Sequence, residues 1–376
     1  MYFAGYIRNI PAESRFYICK YLLRLCSVFL RTGSKRRGKA GFLMKYLSVA
    51  IPCYNVEKYL NKCLDSFSDD RLREDLEVLI VDDGSKDSTP VIAQEYVNRY
   101  PEIFKLIRKE NGGHGSAVNA GIANATGKFF RIVDGDDWVH TDNLISLINL
   151  LKSTETDLVV DQKTKVDMTT GVESFIKLPS KIIFNHEYAF LDVSDDEVCH
   201  FYALHTLNVR MTILKEHNIR LLEHAFYVDN EYLLKVVAYI RNVVFYDLDV
   251  YRYLVGNVNQ SVSHQSYAKR YDQHERVIKE CLRFSTATKW PDGLAAYMKR
   301  RILPLIRTHH IISLIYQTNR KEGRENARQF FNFLKVNYPD YANATEKRYL
   351  ISVMLHHLGF NDERLETLKR ITGYGN

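Results

Sequence analysis

Proline is scarce in this chain, with 8 among 376 residues, and the 18 glycines follow no repeat. Collagen-like, Pro/Gly-rich and low-complexity architectures are thereby excluded. The six cysteines, Cys19, Cys26, Cys53, Cys63, Cys199 and Cys281, contain no C-x-x-C pair and no His/Cys group at zinc spacing. Reduced thiols are their expected state, with Cys53 and Cys63 as small core side chains, and neither a redox pair nor a zinc finger is indicated. What the chain has in quantity is apolar surface. Hydrophobic residues make up 46% against 26% charged. That is enough for a large core spread over the two to three domains that roughly 150 residues per domain allows.

Charge is unevenly distributed. The chain carries +7 overall, yet residues 1–43 hold nine basic side chains and one acid, Glu13, so the remainder is close to neutral at −1. A nucleic-acid-binding body is therefore not expected. The candidate membrane stretch in this leader, 16–30, is interrupted by Lys20 and Arg24 and falls short of the ~20 apolar residues a spanning helix needs. The charge within it and the lack of a small-residue cleavage site also argue against a secretory signal. Drawn as a helix, Lys20, Arg24, Ser27 and Arg31 form one polar stripe, with Tyr21, Leu22, Leu25, Val28 and Phe29 over the rest of the surface. Three readings stand side by side: a segment lying in an anionic membrane interface, a helix packed on the protein, and an upstream extension before Met44. Together with reduced thiols, the leader fits a cytoplasmic protein with peripheral contact at the inner face of the plasma membrane.

From residue 47 the pattern becomes regular. Short apolar runs at 47–51, 76–81, 104–107 and 129–133 read as buried strands, and helical spacing follows at 57–67, 91–100 and 116–125. Thr89-Pro90 reads as a cap followed by proline at the first helical position. Strands alternating with helices predict an α/β fold with a doubly wound, mainly parallel sheet. Ligands bind such sheets beyond the carboxyl ends of the strands. An unusual polar cluster follows each of the four runs: Pro52-Cys53-Tyr54-Asn55, Asp82-Asp83-Gly84-Ser85, Asn111-Gly112-Gly113-His114-Gly115, and Asp134-Gly135-Asp136-Asp137-Trp138.

The chemistry of each cluster is definable. Asp134 and Asp136, two apart beyond a strand end, can converge as hard oxygen ligands for Mg²⁺ or Mn²⁺. The competing reading is that Asp136 or Asp137 caps the helix opening near Asp142. Asp83 can accept hydrogen bonds from a nucleobase or ribose, or it only holds its turn. The glycine loop offers backbone N–H groups to an anion at a helix N-terminus, and His114 either touches a phosphate or belongs to the turn. It is not a dinucleotide fingerprint, because Val118 stands where the third glycine belongs.

Taken together, these segments resemble the family-2 glycosyltransferases of the GT-A fold. The pieces are Ser48-Val-Ala-Ile-Pro-Cys-Tyr-Asn55, Val81-Asp-Asp-Gly-Ser85 with Asp87-Ser-Thr89, Asn111-Gly-Gly-His-Gly115 with Asn119-Ala-Gly121, and Val133-Asp-Gly-Asp-Asp-Trp138. The resemblance implies a metal-dependent, inverting glycosyltransferase of the hexosyltransferase type (EC 2.4), using Mn²⁺ or Mg²⁺. It implies that Pro52, Tyr54, Asn55 and Glu57 line the nucleotide pocket, with Gly113, His114 and Asn119 nearby. Asp83 recognises the base, usually uridine. Asp134 sits by the ribose, Asp136 with Asp134 holds the metal, and Asp137 lies near the donor sugar. The general base falls on Tyr227-Val-Asp-Asn-Glu-Tyr232, where Asp229 and Tyr232 keep the family spacing and Val228 replaces the usual Glu. Glu231 is the alternative base, and a third reading has Asp229 merely capping an apolar helix at 232–240. Tyr251-Arg-Tyr-Leu-Val-Gly256 and Asn259-Gln-Ser-Val-Ser263 also resemble a family segment, in which Arg252 or His264 approaches the diphosphate. No Gln-x-x-Arg-Trp element is present, so transfer of one or few sugars is implied.

The implied partners are a nucleotide sugar and a hydroxyl acceptor on a glycan or lipid-linked glycan in surface polysaccharide or glycoconjugate assembly, with no nucleic acid. The residues that read donor sugar and acceptor are expected in variable loops between Asp157 and His224. The organisation expected is a leader at 1–43, a GT-A domain at 44–264 (nucleotide-sugar half 44–155, acceptor half 156–264) and a C-terminal helical region at 265–376. In that region Lys299, Arg300, Arg301 and Arg307 form either an acceptor- or membrane-facing platform or the solvated face of a helical cap. The pairs His309-His310 and His356-His357 are not expected to bind metal, since adjacent helical positions do not share a face. Two other functions compete: a sugar-phosphate nucleotidyltransferase, which needs an Arg/Lys-bearing glycine loop after the first strand, and a catalytically inactive nucleotide-sugar-binding module.

Overall fold

The computed structural model describes residues 44–256 and 263–372. The leader expected at 1–43, Cys19 and Cys26 within it, and residues 259–262 of the second family segment lie outside the described residues. The described residues form one compact unit.

The alternating half follows the apolar periodicity. β1 (Leu47–Cys53) and β2 (Leu76–Asp82) are buried at every position, as strands covered on both faces must be. Helix α1 (Glu57–Asp65) separates them, and α2 (Thr89–Arg99) leads to β3 (Phe104–Arg108). Thr89 is the first helical residue and not the cap; the Asp87 carboxylate accepts from its backbone N–H at 3.0 Å. α3 begins at His114, two residues before the expected start, because Gly113 at φ +85° already breaks the extended backbone (His114–Asn124). β4 (Phe129–Ile132) carries the acidic loop, followed by β5 (Trp138–Val139) and α4 (Thr141–Ser153). The cap of α4 is His140, accepting from Asn143 N–H, so neither Asp136 nor Asp137 is spent on capping.

The next segment holds strands that no local signal had marked. β6 (Leu158–Asp167) is long, β7 (Glu173–Phe175), β8 (Glu187–Ala189) and β9 (Leu207–Arg210) are short, and β10 (Asn242–Val255) is the longest. One ten-stranded sheet results, ordered β3-β2-β1-β4-β9-β6-β10-β5, with β7 beside β6 and β8 beside β10. β3, β2, β1 and β4 run parallel, as do β6 and β10, while β9 runs antiparallel to β4 and β6. The mainly parallel sheet is thus interrupted at β9, at the strand that adjoins the acidic loop. Helices α5 (Met211–Glu216) and α6 (Val228–Val237) flank β9 and β10.

The C-terminal helices are α7 (His264–Lys269), α8 (Tyr271–Thr286), α9 (Asp292–Ile311), α10 (Arg320–Asn337), α11 (Pro339–His357) and α12 (Asp362–Thr372), with a π turn at Ile312–Tyr316 after α9. Val277, Ile278, Cys281 and Leu282 of α8 and Tyr297, Met298 and Ile302 of α9 join the core cluster that also holds Val228, Leu233 and Val237 of α6. Arg300 of α9 bonds the Ser194 carbonyl and pairs with Asp196, and Arg301 donates to the Cys199 carbonyl at 2.9 Å. These two cations therefore bind the helices to the preceding half instead of forming an open platform. His309 faces His274, Glu275 and Phe330, while His310 faces Phe330, Phe331 and Tyr349. Cys53, Cys63, Cys199 and Cys281 are buried free thiols.

Candidate active site

The carboxyl ends of β1, β2 and β4 carry the first components. Asp83 follows β2 and is 2% exposed. It accepts from Gly112 N–H (2.9 Å), Gly113 N–H (2.7 Å) and Lys109 Nζ (2.6 Å). The Gly112 and Gly113 donors are therefore used on Asp83, so the anion cradle expected at Gly113 is filled at those two groups from within the chain. The carboxylate is fixed, with lone pairs remaining for a further donor. Asn55, at φ +54°, accepts from Lys86 N–H at 2.8 Å, and Glu57 accepts from Ser88 N–H at 2.8 Å. Both bind the β1 and β2 loops to one another. Pro52 lies buried in β1, and Tyr54, 50% exposed, is the open side chain of that turn.

The acidic loop after β4 divides in two directions. Asp134 bonds His114 Nε2 at 3.1 Å and lies 3.7 Å from His205 Nδ1. Asp137, 1% exposed, accepts from Tyr251 Oη and from Leu254 N–H at 2.7 Å. Ligand atoms of Asp134, Asp137 and His205 all lie within 4.8 Å of one another. Asp136 points instead into a concavity of about 280 Å³ that also touches Lys58, Lys62, Trp138 and Asp167. The tightest ligand group thus contains Asp137 and a histidine where Asp136 was expected, with Asp136 adjacent.

Electrostatics follow from this crowding. Burial and the neighbouring Asp134 charge push Asp136 up to about 6. Asp137 is raised further by burial and by both neighbouring carboxylates. Burial opposes ionisation of Asp134, but its hydrogen bond to His114 and the two histidines hold it near 2. His114 is raised, because Asp134 outweighs the burial that opposes its charge. Burial lowers His205 to about 4, leaving a neutral imidazole. Two hard carboxylates and a neutral imidazole form a donor set suited to a divalent cation, and the raised carboxyls are those a cation would relieve. The residues fit such an ion.

Asp229 lies in the first turn of α6, inside the helix and not at its cap, which is Tyr227 at φ +67°. Its carboxyl is open to solvent, yet it is ringed by protein, so loss of bulk water raises its pKa. It also feels the charges of Arg301, His114 and Asp134. Glu231 is removed as an alternative: it is fully buried, accepting from Leu222 N–H at 3.1 Å and pairing with Lys235 at 2.7 Å.

Three expected contacts are elsewhere. Arg252 alternates with Tyr251 and Tyr253, whose rings face Asp137 and His205; it pairs with Asp249 at 2.9 Å on the other face. Asn119 clamps Leu221 through both its amide groups, at 2.9 and 3.0 Å. His264 stacks on Tyr316 beside Asp362 and Glu366. His205 went unnoticed in the sequence because nothing local marks it; the flanking Leu204–Thr206 turn is irregular and precedes a strand of four residues.

The sequence profile described as glycosyl transferase family 2 matches residues 48–217. Putative glycosyltransferase EpsH of Bacillus subtilis (strain 168) is 38% identical over 114 residues, 30% of this chain and 32% of that protein. The matches to EpsH, GlyA of Streptococcus pneumoniae and EpsJ of Bacillus subtilis span a third or less of each relative, at 32%, 18% and 33%. Minor teichoic acid biosynthesis protein GgaA of Bacillus subtilis is 27% identical over 350 residues, 86% of this chain and 74% of that one. Among solved structures, S. aureus TarS 1–349 in complex with UDP has a TM-score of 0.60 at 20% identity, over 84% of this chain and 92% of that one. At that identity the likeness is one of fold, and the fold is that of the GT-A glycosyltransferases. No described helix is long and apolar enough to cross a membrane.

Proposed function

Residues 48–217 belong to glycosyl transferase family 2, and from that premise we propose that this chain moves a sugar from a UDP-sugar to a hydroxyl acceptor, with inversion, on a cell-surface polymer. The observation that supports the reading is the grouping of ligand atoms of Asp134, Asp137 and His205 within 4.8 Å of one another, with Asp136 in the same loop and the exposed Asp229, on a separate element, near enough to feel the charges of Asp134 and His114. The UDP preference is supported by TarS, solved with UDP and with UDP-GlcNAc. An acceptor of the polyol-phosphate wall-polymer class is supported by GgaA and by the poly(ribitol-phosphate) beta-glucosyltransferase of Bacillus spizizenii, 30% identical over 148 residues, which are 37% of this chain and 23% of that protein.

The roles follow from the chemistry. Asp83, locked by Gly112, Gly113 and Lys109, presents a fixed acceptor to the nucleobase. Asp134, Asp137 and His205, with Asp136 beside them, would hold the cation, and when bound it would supply Lewis-acid neutralisation of the charge that develops on the departing diphosphate. His114, raised by its bond to Asp134 against the effect of burial, stands beside the same anion. Asp229 takes the proton from the acceptor hydroxyl as the new bond forms, because an alcohol is a poor nucleophile without a base within hydrogen-bond reach. A single base opposite the leaving group gives inversion, unlike the paired carboxylates of retaining hydrolysis.

The test is UDP release from a panel of UDP-sugars with Mn²⁺, for the unaltered chain and Asp136→Ala. Metal-stimulated UDP release that the substitution abolishes is expected. Pyrophosphate release from UTP and a sugar 1-phosphate would instead indicate a nucleotidyltransferase, and UDP binding without turnover on any donor an inactive binding module.

A further inference from the structure

We propose that a buried Arg131–Asp161–Asn208 network is the positioning element of the cation site, holding His205 as its nitrogen ligand. This rests on the reading of the site as one for a diphosphate and a divalent cation.

Arg131 lies on β4, three residues before Asp134, and its side chain is completely enclosed. It pairs with Asp161 on β6, which is equally enclosed. Asn208 on β9, the strand between them, donates to Asp161 Oδ2 at 2.8 Å and accepts from Arg131 Nη1 at 3.4 Å. Taking a guanidinium and a carboxylate out of water recovers little stability, and an apolar pair of similar volume often serves as well. The geometry gives this pair another task. Arg131 Nη2 also donates to the carbonyl of His205 at 2.6 Å, which fixes the Leu204–Thr206 turn against the sheet.

The ring of His205 is fixed independently. It stacks on Tyr251 and Tyr253, with centroids at 4.8 and 5.2 Å and planes 24° apart in both pairs. Tyr251 is the residue that bonds Asp137, so one side chain orients two members of the ligand group. His205 Nδ1 is buried without a hydrogen-bond partner, 3.7 Å from Asp134 Oδ2. An enclosed imidazole nitrogen without a partner, beside two carboxylates, has the environment of a metal ligand. The other nearby histidine, His114, is already engaged through Nε2 with the opposite oxygen of Asp134. Partners of this outer kind commonly set metal affinity by 10- to 100-fold.

The experiment is Mn²⁺ titration of the full chain in the presence of UDP, followed by electron paramagnetic resonance with pulsed detection of ligand nitrogen. UDP affinity in EDTA and the melting temperature report on folding. The unaltered chain should show nitrogen coupling to Mn²⁺. His205→Gln should lose the coupling and weaken Mn²⁺ binding about 10- to 100-fold, while UDP affinity in EDTA stays unchanged. Asp161→Asn, and the milder Asn208→Ala should that variant unfold, should keep a nitrogen signal and bind Mn²⁺ about tenfold more weakly. Coupling that persists in His205→Gln overturns the proposal and leaves the glycosyltransferase reading standing. So does Mn²⁺ affinity unchanged in the folded network variants. An unaltered chain that binds neither UDP nor Mn²⁺ overturns both.

Discussion

Asp229 is the residue on which the proposed chemistry turns, and its environment makes a specific pH dependence. A positioned base contributes roughly 10²- to 10⁴-fold, so Asp229→Asn should lower kcat about 10³-fold while UDP affinity by calorimetry stays unchanged. Its pKa is raised by loss of bulk water, and a base must be deprotonated to act. The acidic limb of the kcat profile should therefore lie above the ordinary aspartate range of about 3.9 and vanish in the Asn variant. The acidic loop predicts a second titration. Asp136 is pushed up to about 6, so the folded metal-free protein holds a proton that the unfolded chain has released. The favourable contribution is complete below the unfolded pKa of about 3.9 and lost as pH rises through about 6. Mn²⁺ replaces that proton, so the rise in melting temperature on adding Mn²⁺ should be larger at pH 8 than at pH 5. An equal rise at both pH values would mean the cation binds elsewhere.

At the scale of elements, the segment carrying the proposed base is docked onto the loops proposed to bind the nucleotide. His224 N–H donates to the Gly112 carbonyl, Asn119 clamps Leu221, and Glu231 caps the Leu222 N–H. Gly115 permits this approach: a Cβ there would lie 2.1 Å from the Leu222 carbonyl oxygen. Gly115→Ala should therefore displace residues 221–224, lowering the melting temperature and reducing kcat well beyond any change in UDP affinity. Backbone cannot yield as a flexible side chain does, so a cost of about 2 kcal/mol or more is expected. A variant with unchanged melting temperature and kcat would show that the docking matters to neither. The element level also shows where sequence reading succeeds. β1, β2 and β4 were legible because strands buried on both faces are mostly apolar runs, and β3, at the sheet edge, because Phe104, Leu106 and Ile107 stand between turn residues such as Gly84 and Gly113. β6 and β10 were missed because polar and apolar residues mix irregularly along them, as in Asp161-Gln162-Lys163 and Asp247-Leu248-Asp249.

Across the whole molecule, the C-terminal helices share one core with α6, the helix of the proposed base. α8 contributes Val277, Ile278, Cys281 and Leu282 to the cluster that includes Val228, Leu233 and Val237 of α6. A chain ending at residue 263 would expose the α6 side of this seam. It should be insoluble or lose cooperative melting, since each large apolar side chain left uncovered forfeits about 1.5–3 kcal/mol. A soluble truncated chain with unchanged UDP affinity would mark the helices as separable. What the sequence determined by itself was the alternating architecture and the set of polar clusters at the strand ends, because periodicity, turn chemistry and strand termination are local. Tertiary structure alone decided which of those groups meet. Arg131 reaches Asp161 and His205, Tyr251 reaches Asp137, and Arg252 turns away, each through partners distant along the chain. Strand order and register choose the partner and the face, and neither leaves a mark on neighbouring residues in the sequence.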